Sequence, residues 1–264
     1  MRAGFLMVGA KIISRKKPED FAKMVIAGQC VAAMHQAVRK AAGPGITTRE
    51  LDAVAAEVVR ERGCRPSFLG YHGFPATICV SPNSAIVHGI PGSYTLRNGD
   101  IISIDAGAIY EGWHGDAAFT MAIGEVPDEV QRLLDVTEAA LWNGLRQARH
   151  GNRVGDVGHA IEATAEPYGL GVVREYIGHG IGRQMHEAPN VPNYGTPGKG
   201  LKLKTGMAIA IEPMFNMGTA ETIALEDGWT VVTADGSLSA HFEHTVLLTE
   251  EGPLVSTLPE PVLL

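Results

Sequence analysis

Apolar residues recur at two spacings along this chain, and the spacing assigns the elements. Phe21, Met24, Val25, Cys30, Val31 and Met34 follow a helical period, predicting a helix from Pro18 to about Ala42. Pro18 suits its first turn, Glu19 and Asp20 suit the positive end of its dipole, and Gly43-Pro44-Gly45 stops it. Thr47 with Glu50 reads as a capping box that opens a second helix through Leu51, Val54, Val58 and Val59 to Gly63. A third helix starts at Pro127 and runs through Val130, Leu133, Leu134, Val136, Leu141 and Leu145, stopping by Gly151; a fourth covers about Gly155 to Tyr168. Elsewhere the pattern is strand-like: Ala76–Val80 and Ala85–His88 flank the turn Ser81-Pro82-Asn83-Ser84. Met207–Ile211 is a continuous apolar run, a hairpin is expected around Glu226-Asp227-Gly228, and HFEHTVLLT forms the last strand. Helix, helix, then strands occurs twice, which fits a duplicated α/β half, although no repeat is visible in the residues themselves.

Two apolar stretches, Ile101–Ala108 and Trp113–Ile123, are each interrupted by one aspartate and separated by Tyr110-Glu111-Gly112. A hairpin centred between Tyr110 and Glu111 would set Asp105 directly opposite Asp116, with Cβ atoms roughly 5 Å apart. Two carboxylates so close inside an apolar sheet repel each other and are costly to bury unpaired. A shared proton, a basic neighbour or metal ions would compensate.

Composition narrows the class. The chain has 264 residues, 45% of them hydrophobic, with 32 glycines and 15 prolines. That fits one soluble domain rich in sheet and turn, here taken as residues 1–264 with 1–12 as a flexible tail. The formal charge of −7 argues against a nucleic-acid partner recognised by charge. Cys30, Cys64 and Cys79 form no CxxC pair and no disulfide framework. The apolar run Gly4–Ala10 is short for a signal peptide, its charges follow it, and no run approaches a membrane span, so a cytoplasmic location is expected.

Three further residues share the aspartates' character. Glu212 ends the run Met207–Ile211, on the face of Ala208 and Ala210. Glu243 shares a face with His241, Thr245 and Leu247 in the last strand. His179 lies between two glycines, which allow close backbone approach. One buried strand carboxylate is commonly satisfied by backbone amides or an arginine. Four, with few basic residues near them in sequence, favour metal. Mostly carboxylate with one imidazole suits Mn²⁺, Fe²⁺, Co²⁺ or Zn²⁺. Five side chains exceed the usual three protein ligands of one catalytic zinc and suit two ions roughly 3.5 Å apart.

Asp105, Asp116, His179, Glu212 and Glu243, in this order and spacing, resemble the ligand set of the methionine aminopeptidases. The long motifs LGYHGFPATICVSPN, HGIP, SIDAGAIYEGWHGD, VVREYIGHGIGRQMHEAPNVPNYG, IEPMF and EDGWTVVTADGSLSAHFEHT carry the same resemblance from about Ile13 to Leu254. It implies an α+β pita-bread fold: a pseudo-twofold, curved, mostly antiparallel sheet with helices outside. It implies Asp105 as ligand of one ion, Asp116 and Glu243 as bridges, and His179 and Glu212 as ligands of the other, with Glu212 also carrying protons. His88 matches the imidazole that contacts the substrate's N-terminal peptide unit, and His186 the one facing the scissile carbonyl. Tyr71, Phe74, Cys79 and Trp229 match the walls of the methionine pocket. Phe68 and Met185 fall at further pocket positions where the commonest bacterial pattern has a cysteine and a phenylalanine, which bears on pocket shape. Asn83 and Ser239 match a site that holds a monovalent cation in some members. From His179 to Glu212 is 33 residues, which matches the uninserted, type I form. The implied activity is removal of N-terminal methionine, before a small second residue, from nascent chains near the ribosome, by a monomer.

Two other readings compete. An X-Pro aminopeptidase or prolidase of this fold usually carries an extra N-terminal domain, for which the stretch ahead of His88 leaves little room. A non-enzymatic binding member, or a metal-free hydrolase of the creatinase type, would have lost metal ligands, and all five are present here.

Overall fold

The computed structural model describes residues 13–264. The expected tail over residues 1–12, with the run Gly4–Ala10, lies outside the described residues. Helix α1 spans Pro18–Ala41, with Glu19 and Asp20 in its first turn and Arg39 and Lys40 in its last. Helix α2 spans Thr48–Glu61. Its capping box closes as expected: the Glu50 amide donates to the Thr47 hydroxyl, and the Thr47 amide donates to the Glu50 carboxylate at 2.8 Å. Helices α3, Asp128–Gln147, and α4, Val154–Ala165, pack on each other as α1 and α2 do. The expected end of α4 at Tyr168 is a tighter 3₁₀ turn, Glu166–Tyr168.

The strands pair antiparallel throughout the largest sheet among the described residues. Its main path runs Arg65–Pro66, Ile101–Tyr110, Trp113–Ala122, Glu243–Leu248, Ala208–Ile211, Gly178–Gly180, Glu187–Val191. Ile78–Pro82 lies along Ile101–Tyr110, and Ala85–Val87 leaves for a smaller sheet with Val231–Thr233. The turn between them, with Asn83 at φ 57°, therefore separates two sheets instead of closing one hairpin. The hairpin expected around Glu226-Asp227-Gly228 forms, pairing Thr222–Ala224 with Val231–Thr233.

The aspartate hairpin forms with a different register. Tyr110 pairs with Trp113, so the turn is Glu111-Gly112, both with positive φ (46° and 80°), as a tight two-residue hairpin turn requires. Asp105 faces Ala118, and Asp116 faces Gly107. The direct opposition of Asp105 and Asp116 expected from the sequence is thus replaced by a diagonal relation. The two-residue shift leaves every side chain on its expected face.

The strand expected to be the last is interrupted, and two short strands, Pro253–Val255 and Val262–Leu263, follow it and extend the large sheet. Ser239–His241 pairs with Met214–Asn216 in a three-stranded sheet, whereas Glu243–Leu248 pairs with Ala208–Ile211 in the large one. The breaks fall at Phe242 and at Glu212-Pro213. The two registers, Met214 with His241 and Ile211 with His244, are continuous across this seam, which sets Glu212 opposite Glu243.

The main core fills the space between helices and sheet, with Met34, Leu51, Ile78, Ile102, Ile104 and Phe215 fully buried. Helix α1 crosses the aspartate hairpin at glycine on both sides: a Cβ on Gly115 would sit 2.8 Å from the Gly28 nitrogen. A Cβ on Gly28 would strike the Ser256 carbonyl oxygen. Alanine in an open helix position is worth up to about 1 kcal/mol over glycine, but a forced overlap with backbone costs roughly 1–3 kcal/mol. Gly28→Ala is therefore expected to lower stability in chemical denaturation, while Gly43→Ala, with nothing within 4 Å of its Cβ, does not. Equal stability of the two variants would contradict this close crossing.

Candidate metal centre

Four strands and one short loop deliver the acid and imidazole groups to one place. Asp116 and Glu243 are 3% and 2% exposed, and His179 is 7% exposed. One ligand atom from each of these three lies within 4.8 Å of the other two. His179 Nε2 is 3.8 Å from Asp116 Oδ2 and 3.6 Å from Glu212 Oε1. Its Nδ1 sits 2.9 Å from the Gly180 carbonyl oxygen, which makes Nδ1 the protonated nitrogen and turns the Nε2 lone pair toward the carboxylates. Asp116 is within hydrogen-bonding reach of both Asp105 and Glu243. Its backbone is clamped by Thr245, whose hydroxyl accepts from the Asp116 amide at 3.0 Å and donates to its carbonyl at 2.8 Å.

The electrostatics are those of acids crowded away from water. Burial pushes Asp105 up to about 7, with hydrogen bonding to Asp116 acting the other way. Burial, with Asp105 adding repulsion, pushes Glu212 up to about 8. Burial and the neighbouring carboxylates hold Asp116 and Glu243 well above the usual carboxylate range. Burial, with His186 nearby, lowers His179 to about 3, so its imidazole is neutral. Asp105 Oδ1, Asp116 Oδ1 and Glu243 Oε1 are buried without a hydrogen-bond partner. No lysine or arginine forms an ion pair with these acids among the described residues. Partnerless carboxylate oxygens converging on a neutral imidazole are the donor set that divalent cations of borderline hardness take, so the residues fit a metal centre.

Beside the acids lies an apolar wall. Phe68, Phe74, Cys79 and Met185 are buried in one cluster, with Tyr71 and Trp229 packed against it. Phe74 meets Trp229 edge-on at 5.1 Å and Phe68 at 6.4 Å between ring centroids. Cys79 pairs with Asp105 in the sheet, so wall and acids share a strand boundary. His186 reaches over the centre, its ring 4.3 Å from that of His179, and its Nδ1 is 2.8 Å from the Tyr71 hydroxyl. His88 adopts φ 60° at the end of its strand and stands edge-on to Trp229 at 6.3 Å and Tyr176 at 5.9 Å. Asn83 and Ser239 are joined through the Ser239 amide and the Asn83 carbonyl; the Asn83 side chain also donates to Asp100 at 2.9 Å.

A model of the metallopeptidase family M24 matches residues 22–250. The chain belongs to that family. Within it the chain groups with the methionine aminopeptidases. It is 49% identical over 237 residues to methionine aminopeptidase 1 of Bacillus subtilis, covering 90% of this chain and 96% of that one. It is 48% identical over 257 residues to methionine aminopeptidase 1 of Mycobacterium tuberculosis, covering 95% and 97%. The methionine aminopeptidase structure from Thermotoga maritima superposes with a TM-score of 0.92 at 44% identity, covering 94% of this chain and all of that one. A Pyrococcus furiosus prolidase shares the fold, with a TM-score of 0.76 at 22% identity, and this chain covers 66% of it. The α+β pita-bread architecture expected from the sequence is therefore that of the family, and the chain is a hydrolase. No helix among the described residues is long and apolar enough to cross a membrane.

Sequence reasoning passed over His241, Thr245, Thr120 and Tyr176. His241 carries the same sequence signal as Glu243, a polar residue facing the same way in the same apolar stretch.

The raised carboxylates set a sign for metal-free stability. Folded, Asp105 and Glu212 keep protons up to about 7 and 8, whereas unfolded they lose them near their ordinary values. The folded chain thus binds the extra protons, and its stability falls as pH rises. His179 and His241, lowered to about 3, act oppositely, but only below about pH 6.5, where unfolded histidine still holds a proton. From about pH 6.5 to 8 the histidine contribution fades and the raised carboxylates set the trend. Chelator-treated protein is expected to melt at progressively lower temperature across that window, and added divalent ion to raise Tm more at pH 8 than at 6.5. A flat or rising Tm without metal would contradict the raised carboxylates.

Proposed function

We propose that residues 1–264 form a single catalytic domain that hydrolyses N-terminal methionine from peptides and nascent proteins. The observation that carries this reading is the set of partnerless, buried carboxylates and one neutral imidazole beside an aromatic and sulfur-containing apolar wall. Asp105 would hold one ion, His179 and Glu212 the other, and Asp116 and Glu243 would bridge them. When bound, two such ions supply a bridging water acidic enough to attack at neutral pH and a Lewis acid for the carbonyl.

The chain's own residues do the rest. Glu212, whose pKa burial lifts toward neutrality, is suited to take a proton and pass it to the leaving amine. His186, kept neutral at pH 7 because burial lowers it to about 4, donates to the carbonyl oxygen. Tyr71 fixes that ring through its 2.8 Å contact at Nδ1, leaving Nε2 for substrate. His88 contacts the first peptide unit. Phe68, Tyr71, Phe74, Cys79, Met185 and Trp229 surround an unbranched thioether, a side chain that suits aromatic edges. The crowded glycine-flanked centre favours a small second residue. A monovalent cation near Asn83 and Ser239, a monomeric state, and a cytoplasmic place near the ribosome complete the proposal.

Metal-stripped protein is expected to release methionine from Met-Ala-Ser only after Co²⁺, Mn²⁺, Fe²⁺ or Zn²⁺ is added back, and to leave a Gly-Pro dipeptide intact. Preference for the Gly-Pro dipeptide would favour a prolidase. Asp116→Ala is expected to abolish paired metal binding and turnover; full methionine release by that variant would refute the ligand assignment. His186→Ala is expected to lower kcat/KM about 10²- to 10³-fold with metal content intact, in the range for loss of one oxyanion donor. Metal loss in that variant would show that His186 acts as a ligand instead.

A further inference from the structure

His241 is 1% exposed, and both of its ring nitrogens are buried without a hydrogen-bond partner. An imidazole in that position is costly unless its one N–H finds an acceptor. Its backbone leaves no freedom to swing away. The His241 amide donates to the Thr120 hydroxyl at 2.8 Å, and that hydroxyl donates to the His241 carbonyl at 2.9 Å. Across the seam, Glu212 stands opposite Glu243, so His241, two residues before Glu243, lies diagonally across from Glu212 on the same face. His241 Nε2 is 3.9 Å from Glu212 Oε2, while Glu212 Oε1 is 3.6 Å from His179 Nε2. The carboxylate of Glu212 thus has one oxygen toward each imidazole.

We infer that His241 is a positioning residue for Glu212: its Nε2–H faces Oε2 across 3.9 Å and, with an ion at the centre, closes on it as a hydrogen bond that fixes the rotation of the carboxylate, so that Oε1 stays turned to the metal centre. The inference rests on the metal reading of that centre. It assigns the two oxygens of Glu212 different tasks, one held by the protein and one free for the ion and for proton transfer. It also explains a polar ring in a place where an apolar side chain would pack at no desolvation cost. Partners of this kind typically alter metal affinity or activity by about 10- to 100-fold.

The test compares His241→Leu, which fills space without a donor, with His241→Gln, which restores an N–H. Both are titrated calorimetrically with Mn²⁺ after chelator treatment, assayed on Met-Ala-Ser at saturating Mn²⁺, and melted without metal. His241→Leu is expected to bind Mn²⁺ about 10- to 100-fold more weakly and to turn over more slowly, with a metal-free Tm at or above that of the parent. His241→Gln is expected to recover most of the lost affinity. A Leu variant that binds Mn²⁺ like the parent overturns the inference, as does a Gln variant no better than Leu. A lowered metal-free Tm with unchanged affinity overturns it too, by assigning the ring to packing alone. Parent protein that binds no divalent ion and releases no methionine would overturn the metal reading itself, a result separable from all of these.

Discussion

Four carboxyl groups share a largely buried space in which, among the described residues, no lysine or arginine pairs with them, and much of the molecule answers to that constraint. Like charges at such separations cannot all ionise, so without cations the site must hold protons that ordinary acids would have lost. Such a cluster opposes folding and must be held by structure that is stable without it. Helix α1 pressed on the hairpin, the main core behind the sheet and the Thr245 clamp on Asp116 supply that frame. Three of the acids sit on strands and Glu212 in the short break between two strands, where neighbouring residues fix each side chain; a long loop would let them spread toward water and relax.

The same frame separates two kinds of recognition. On one side, charge and hydrogen bonding converge at His179, Glu212 and His186. On the other, buried apolar groups from the Phe68–Phe74 segment, the Cys79 strand and the Met185 loop make a wall with few polar atoms. Cys79 lies beside Asp105 in the sheet, so burial that raises the aspartate also keeps the thiol protonated and far above its ordinary value. A side chain held against that wall would have its backbone amine and carbonyl carried over the acids, which is the geometry an exopeptidase needs.

Helices and most strands were legible because their signals are local. Thr47 and Glu50 form the cap they spell out, and Gly43 and Gly63 follow helix ends within two residues. The clustering of the acids was legible from carboxylates inside apolar strands, a contradiction visible in one dimension. The pocket residues and His186 were not: Phe68, Phe74 and Trp229 read as ordinary core by themselves and became candidates only through resemblance. The split at Phe242 of the strand expected to be the last was hidden because its alternation continues unbroken across the seam. The partner sheet changes, but no side chain changes face. His241 shares the face of Glu243 in the sequence pattern, but only the fold, by bringing Glu212 across from it, gives its ring a partner.

The hairpin register was misjudged by two residues, and the reason is physical. Tyr110-Glu111-Gly112 allows more than one two-residue turn, and the sequence alone does not weigh the cost of positive φ at Glu111. In the fold Glu111 also meets Lys23 of α1 at 2.7 Å, an exposed ion pair worth at most about 1 kcal/mol and 88 positions away in the chain. With the turn so fixed, Asp105 and Asp116 become diagonal neighbours, whose α-carbons stand roughly 7–8 Å apart where direct opposition would bring Cβ atoms to about 5 Å. The wider spacing lets two carboxyl groups converge on a shared volume from different angles, where directly opposed ones would meet head-on. A cation needs such a volume; a shared proton does not. This register brings Asp105 and Asp116 within reach of each other and of Glu243 while leaving an oxygen on each of the three buried and partnerless, and those unclaimed oxygens, more than the register itself, favour a cation over a shared proton as the answer to the buried charge.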